Sequence, residues 1–169
     1  MELLRGTSMT GAFSSGETAN ALKAIFDKHK HERVCVIGTM CCGKTTLMKH
    51  LSDYNCIDVD DVFWPQISEA DIEFFSQTPI TNEILDPILK LMSEKIIVKP
   101  GFPLFGVAIL DCEAVVYLDI SEQLLEKHCE QRGDTTLEDA VFIKKRIEAD
   151  FNTHKARYDK TFYYLTITE

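Results

Sequence analysis

The sequence lacks a surplus of positive charge: 18 Lys and Arg stand against 27 Asp and Glu, for a formal net charge of −9 over 169 residues. A nucleic-acid backbone is therefore not the expected partner, because neutralising its phosphates takes clustered cations. A small phosphate ligand needs only a few donors and is not excluded. No apolar run reaches the roughly 18 residues of a spanning helix. The opening stretch "MELLRGTSMTGAFSSGET" has no apolar core of export-signal length. The expectation is a cytoplasmic protein with no membrane partner, either a monomer or a homodimer. Six cysteines (Cys35, Cys41, Cys42, Cys56, Cys112 and Cys129) form no C-x-x-C and no Cys/His ligand spacing. That speaks against a zinc site and for reduced thiols. Internal repeats and low-complexity tracts are absent too.

What is present is material for one domain: 45% hydrophobic and 27% charged residues, ordinary for a chain able to bury a core. Residues 1–14 are small and polar, and are expected to be loosely ordered. From Ser15 a helix is predicted, capped by that serine, with Ala19, Leu22, Ile25 and Phe26 as its apolar stripe. Residues 1–32 read as an extension carrying this helix, and 33–169 as the main domain. Strands and helices then alternate. "RVCVIG", "NCIDVDD", "KIIVKPG", "EAVVYLDI" and "TFYYLTIT" read as strands. "KTTLMKHLSD", "ISEADIEFFSQ", "TNEILDPILKLMSE", "SEQLLEKHCEQRG" and "TLEDAVFIKKRIEADFNTHKARYDK" read as helices, with Ser121 as a cap and Gly133 as a stop. Such alternation predicts a three-layer α/β fold, a parallel sheet with helices on both faces.

Gly38-Thr39-Met40-Cys41-Cys42-Gly43-Lys44-Thr45 satisfies G-x-x-x-x-G-K-[ST], with an apolar strand before it and a helix after. Gly38 and Gly43 permit backbone angles that a side chain would block. The loop amides, from Gly38 through Thr46, then converge on phosphate oxygens. Lys44 offers a charge to the β- and γ-phosphates, and the Thr45 hydroxyl a ligand to Mg²⁺. ATP with Mg²⁺ is the expected nucleotide. Cys41 and Cys42, beside Lys44, are candidates for acidified, oxidisable thiols.

In "CIDVDDVFWP", Asp58 and Asp60 stand two apart, which on a strand puts them on one face. Acids at the C-terminal end of a parallel strand lie where ligands bind. One of these acids can hold Mg²⁺, directly or through water, and another can orient or deprotonate an acceptor hydroxyl; Asp61 starts the following loop.

From these residues the chain resembles the P-loop small-molecule kinases. "CIDVD" is similar to the second strand of shikimate kinases, which implies Asp58, with Thr45, near Mg²⁺ and Asp60 at the acceptor hydroxyls. "DDVFWP" is similar to the "DDFFKP" of nicotinamide riboside and uridine kinases, which implies Asp60 as the base, with Asp61 beside it and Phe63 or Trp64 stacked on a substrate ring. "GFP", Gly101 to Pro103, is similar to the "DGFPR" that follows the third strand of adenylate kinases, with Pro100 and Leu104 at its Asp and Arg positions. "AVVYLDISEQLLEKHCEQRG" resembles the fourth strand and helix of the superfamily, placing Arg132 at a lid base. "HKARYDKTFYYLTIT" resembles the end of shikimate kinases, placing Arg157 toward substrate. The resemblance implies the P-loop NTPase fold with five parallel strands in the order 2-3-1-4-5, counted from the strand before the loop. It also implies transfer of the ATP γ-phosphate to a hydroxyl or phosphate of a small metabolite (nucleoside, nucleotide or shikimate-like), with Lys44, Asp60 and Arg132 catalytic. A nucleotide-binding regulator or a catalytically degraded kinase fold remains the alternative. The N-K-x-D segment by which GTPases read guanine does not occur.

Overall fold

The computed structural model describes residues 12–168. Along them run β1 (Ala12–Phe13), α1 (Ser15–Lys28), β2 (Val34–Ile37), α2 (Lys44–Lys49), β3 (Ile57–Asp58), α3 (Val59–Phe63), α4 (Glu69–Phe75), α5 (Asn82–Lys95), β4 (Leu104–Gly106), β5 (Ala114–Ile120), α6 (Glu122–Arg132), α7 (Leu137–Arg157) and β6 (Thr161–Ile167). The sheet order is β1-β6-β5-β2-β4-β3, every pairing parallel. Counted from β2, the strand before the loop, five of these strands follow the order 2-3-1-4-5.

The period-2 alternation of strand side chains divides the core between the two faces. Cys35, Ile37, Val115, Tyr117 and Phe162 pack toward α4, α5 and α7. Val34, Val36, Val116, Leu118 and Leu165 pack toward α1 and α2. Leu22 and Ile25 of α1 are fully buried there, so the stretch read as an extension shares the main core. Helix ends follow local capping chemistry. Ser121 accepts from the Leu124 amide at 3.2 Å, and Gly133 closes α6 at φ +80°, both at the positions read from sequence. The cap of α1 is Ser14 rather than Ser15.

Three strand assignments change. Among the described residues a sixth, two-residue strand joins the expected five, because Ala12–Phe13 pairs with Thr166–Ile167 at the β6 edge. The loose order expected of residues 1–14 thus does not hold for Ala12–Phe13, and residues 1–11 lie outside the described residues. "KIIVKPG" is not a strand. Ile96 and Val98 are buried, but Gly101 turns the chain at φ +80°, and pairing starts only at Leu104. The β3 strand ends at Asp58, whose carboxylate accepts from the Asp60 amide at 3.0 Å and starts α3. Asp60 is therefore a first-turn helix residue and does not share a strand face with Asp58.

Candidate active site

The C-terminal edges of β2, β3 and β4 meet at one cleft. The backbone fixes them together: the Gly38 amide donates to the Gly106 carbonyl at 3.0 Å. A Cβ on Gly38 would lie 2.7 Å from the Cys42 sulfur and 3.3 Å from Leu118, and one on Gly106 would lie 2.9 Å from Val59. Both glycines thus let neighbouring chain close over the sheet edge. Gly43 takes φ +104° and Cys41 φ +63°, the left-handed turns that curl the loop before α2.

The cleft holds about 760 Å³ and is lined by Thr39 through Thr46, Asp58, Asp60, Trp64, His128, Gln131 and Arg132, with an apolar group beyond them. Lys44 folds its ammonium onto the loop, donating to the Gly38 carbonyl and, at 2.9 Å, to that of Thr39. Thr39 is buried and donates its hydroxyl to the Ala140 carbonyl at 2.5 Å, so its side chain anchors the loop to α7. Met40 is half-buried on the cleft wall, while Thr45 and Thr46 are exposed at the start of α2.

Burial raises the Asp58 carboxyl above its ordinary value. The Asp60 amide opposes this, the charges of Asp60 and Asp61 add to it, and Lys44 draws it back down. A half-buried carboxylate and an exposed threonine hydroxyl lining the same cleft are oxygen donors of the kind that suit a hard cation. Asp60 accepts from the Trp64 indole N–H at 3.0 Å, and Trp64 stacks at an angle on Phe75, ring centres 6.4 Å apart. Arg132 pairs with Asp134 at 2.9 Å and lies 3.8 Å from the Cys41 sulfur.

Other expected residues fall elsewhere. Asp61 is exposed and outside the cleft lining. Gly101 precedes β4, and a Cβ there would meet the Lys30 carbonyl, at the sheet edge opposite the loop. The "GFP" likeness is thus out of register: those residues come before the third of the five strands, and Leu104 is a buried strand residue. Arg157 ends α7, whose start is tied to Thr39; 17 residues on, at 1.5 Å each, it lies about 25 Å away and exposed. Cys42 is buried, and desolvation pushes its thiol up, the reverse of acidification.

Sequence reasoning missed His128, whose Nδ1 is 2.8 Å from the Cys41 carbonyl, and Gln131. His128 lies four residues before Arg132 on α6, and that helical spacing was the available signal; Gln131 carried none. Sequence reasoning also missed Gly106, which carries no motif. The helices between residues 69 and 93, expected as a substrate-side wall with Trp64, Phe74 and Phe75, do line the cleft through Phe75, Ile84, Leu85, Ile88 and Met92, together with Trp64. Phe74 does not line it and is exposed.

No protein-family model matches the chain, and no curated protein matches it. Among solved structures it is similar to a gluconokinase from Sinorhizobium meliloti 1021, at 15% identity and a TM-score of 0.51, covering 83% of this chain and 85% of that one. Identity this low speaks for architecture alone, and with the strand order and the Gly38–Thr45 loop it establishes that the chain has the P-loop NTPase fold.

Proposed function

We propose that the protein is an ATP- and Mg²⁺-dependent phosphotransferase acting on the hydroxyl of a small metabolite. The observation that carries this reading is that one cleft is lined both by the loop residues Thr39–Thr46 and by Asp60, Trp64 and apolar side chains of the α4 and α5 region. A nucleotide switch has no use for an acid and an apolar wall in the same cleft as its phosphate loop, whereas a kinase needs an acceptor seat there.

The loop amides and Lys44 hold the β- and γ-phosphates, and Arg132 adds positive charge from the third side. Thr45 and Asp58 are the residues that would hold Mg²⁺, which when bound offsets phosphate charge. Asp60 orients the acceptor hydroxyl. As the acceptor oxygen bonds to the γ-phosphorus, the bond to the β,γ-bridging oxygen breaks, ADP takes the electron pair, and the hydroxyl proton passes to the Asp60 carboxylate. The residues act mainly by position and charge.

A coupled ADP-release assay across nucleoside, sugar, shikimate and monophosphate acceptors tests this, with ATP binding measured in parallel. Acceptor-dependent ADP release that drops about 10²- to 10⁴-fold in Asp60→Asn, with ATP affinity kept, is expected. ATP binding with no turnover on any acceptor would leave a degraded kinase fold. GTP-selective binding would indicate a switch.

A further inference from the structure

The cleft is lined by residues of two kinds: the loop contributes polar groups, and residues 64–92 contribute apolar ones. The apolar wall is built by Trp64, Phe75, Ile80, Ile84, Ile88 and Met92. Among the lining residues the lysines and arginines are Lys44 and Arg132, both on the phosphate side. From Asp58 to Met92, the stretch that forms this wall, there are eight Asp and Glu and one basic residue, Lys90. Lys90 is exposed and outside the cleft lining. On the facing helix α7, Arg146 is engaged: its guanidinium donates to Asp86 at 2.6 Å, to Asn82 at 3.1 Å and to Asp150 at 3.2 Å.

We infer that the acceptor is an uncharged alcohol with an apolar body, seated against Trp64 and Phe75 with its hydroxyl toward Asp60. This deepens the phosphotransferase reading and rests on it. A phosphate or carboxylate on the acceptor would enter an apolar chamber with no cation to pair, next to two aspartates, and burying an unpaired charge is strongly unfavourable. An apolar body loses nothing there and removes aromatic surface from water. The hydrogen bond between Trp64 and Asp60 makes ring and carboxylate one unit, so a ring lying on the indole brings its hydroxyl to the acid. A cavity of about 760 Å³ leaves room for such a molecule beside a triphosphate tail, since whole ligand pockets run from about 300 to 1,000 Å³.

Trp64 is the sole tryptophan of the chain, so its fluorescence reports this compartment directly. The test titrates matched pairs differing in one anionic group (a nucleoside and its 5′-monophosphate, methyl shikimate and shikimate, an aryl alcohol and its carboxylated analogue). Each titration is run on the full chain holding a non-hydrolysable ATP analogue and Mg²⁺. The neutral member is expected to bind at least about tenfold more tightly, a ratio worth 1.4 kcal/mol. Equal or stronger binding of the anionic member, or no Trp64 response to any neutral alcohol, overturns the inference. The half-buried Ile80, replaced as Ile80→Arg, is expected to reverse the preference toward the monophosphate by tenfold or more; an unchanged preference counts against this wall as the acceptor seat. Nucleotide binding is read separately with a fluorescent ATP analogue. If that fails, the phosphotransferase reading falls; if it holds while Trp64 prefers anions, only the acceptor class falls.

Discussion

The indole N–H of Trp64 donates to the carboxylate of Asp60 at 3.0 Å, one helical turn along from it. The contact joins an aromatic surface of the cleft to the proposed base and restricts how that carboxylate turns. Trp64→Phe keeps a ring but removes the donor. A hydrogen bond of this kind to an exposed carboxylate is worth about 1 kcal/mol, so kcat is expected to fall roughly three- to tenfold while the KM for acceptor changes less. Steady-state kinetics with ADP release as the readout checks this split. A change confined to KM would mean that Trp64 only binds.

Asp58 predicts a pH signature. Desolvation holds its carboxyl above the ordinary value, so the folded chain binds that proton more tightly than the unfolded one. The stability gained is complete below about pH 4, the unfolded value, and is lost as pH rises through the higher folded value. At neutral pH the charged carboxylate is then a liability of the metal-free protein. Asp58→Asn retains an amide-accepting cap and is expected to match or exceed the wild-type melting temperature at neutral pH. The difference should shrink toward acid. Mg²⁺ with ATP should stabilise the wild type more than the variant. Thermal melts across pH, with and without Mg·ATP, give both results.

The approach of Gly38 to Cys42 is tight enough that a methyl group collides with buried sulfur at 2.7 Å. Gly38→Ala is expected to destabilise the fold by about 1–3 kcal/mol, the range for overpacking, and to weaken ATP binding. Cys42→Ala in the same chain removes the sulfur and should recover part of the loss. A double-mutant cycle by denaturant unfolding measures the coupling; strict additivity would show that the collision is not the cause.

Alkylation distinguishes the two loop cysteines. Cys42 is buried, with a thiol raised by desolvation, whereas Cys41 is half-buried beside Arg132. Iodoacetamide at neutral pH is expected to label Cys41 well before Cys42, as read by peptide mass spectrometry. Labelling should lower ATP affinity by tenfold or more in the wild type and leave Cys41→Ser unaffected. Equal labelling of both positions would contradict the burial argument.

Local chemistry is what the residue order determined by itself. Alternating apolar strands and capped helices imply a parallel sheet, because covered strands must read apolar on both faces, as in "AVVYL". Two glycines, a lysine and a threonine at fixed spacing imply a loop whose amides converge, because that geometry depends on a few adjacent φ and ψ angles. Ser121 and Gly133 mark helix ends through bonds spanning three or four residues. Tertiary structure alone decided what lies across from what. Whether Asp60 sits on a strand or a helix depends on where β3 stops: Asp58 caps α3, and Val59, its first residue, packs over Gly106 of β4. The third of the five strands moved past the "GFP" turn because pairing with β2, not the apolar run of "KIIV", sets where a strand begins. Arg157 went to the far end because a 21-residue helix starts at the loop and leads away from it. Which residues of the helices between 69 and 93 line the cleft is marked by no motif either: Ile84, Ile88 and Met92 reach it only because packing leaves a space in front of them.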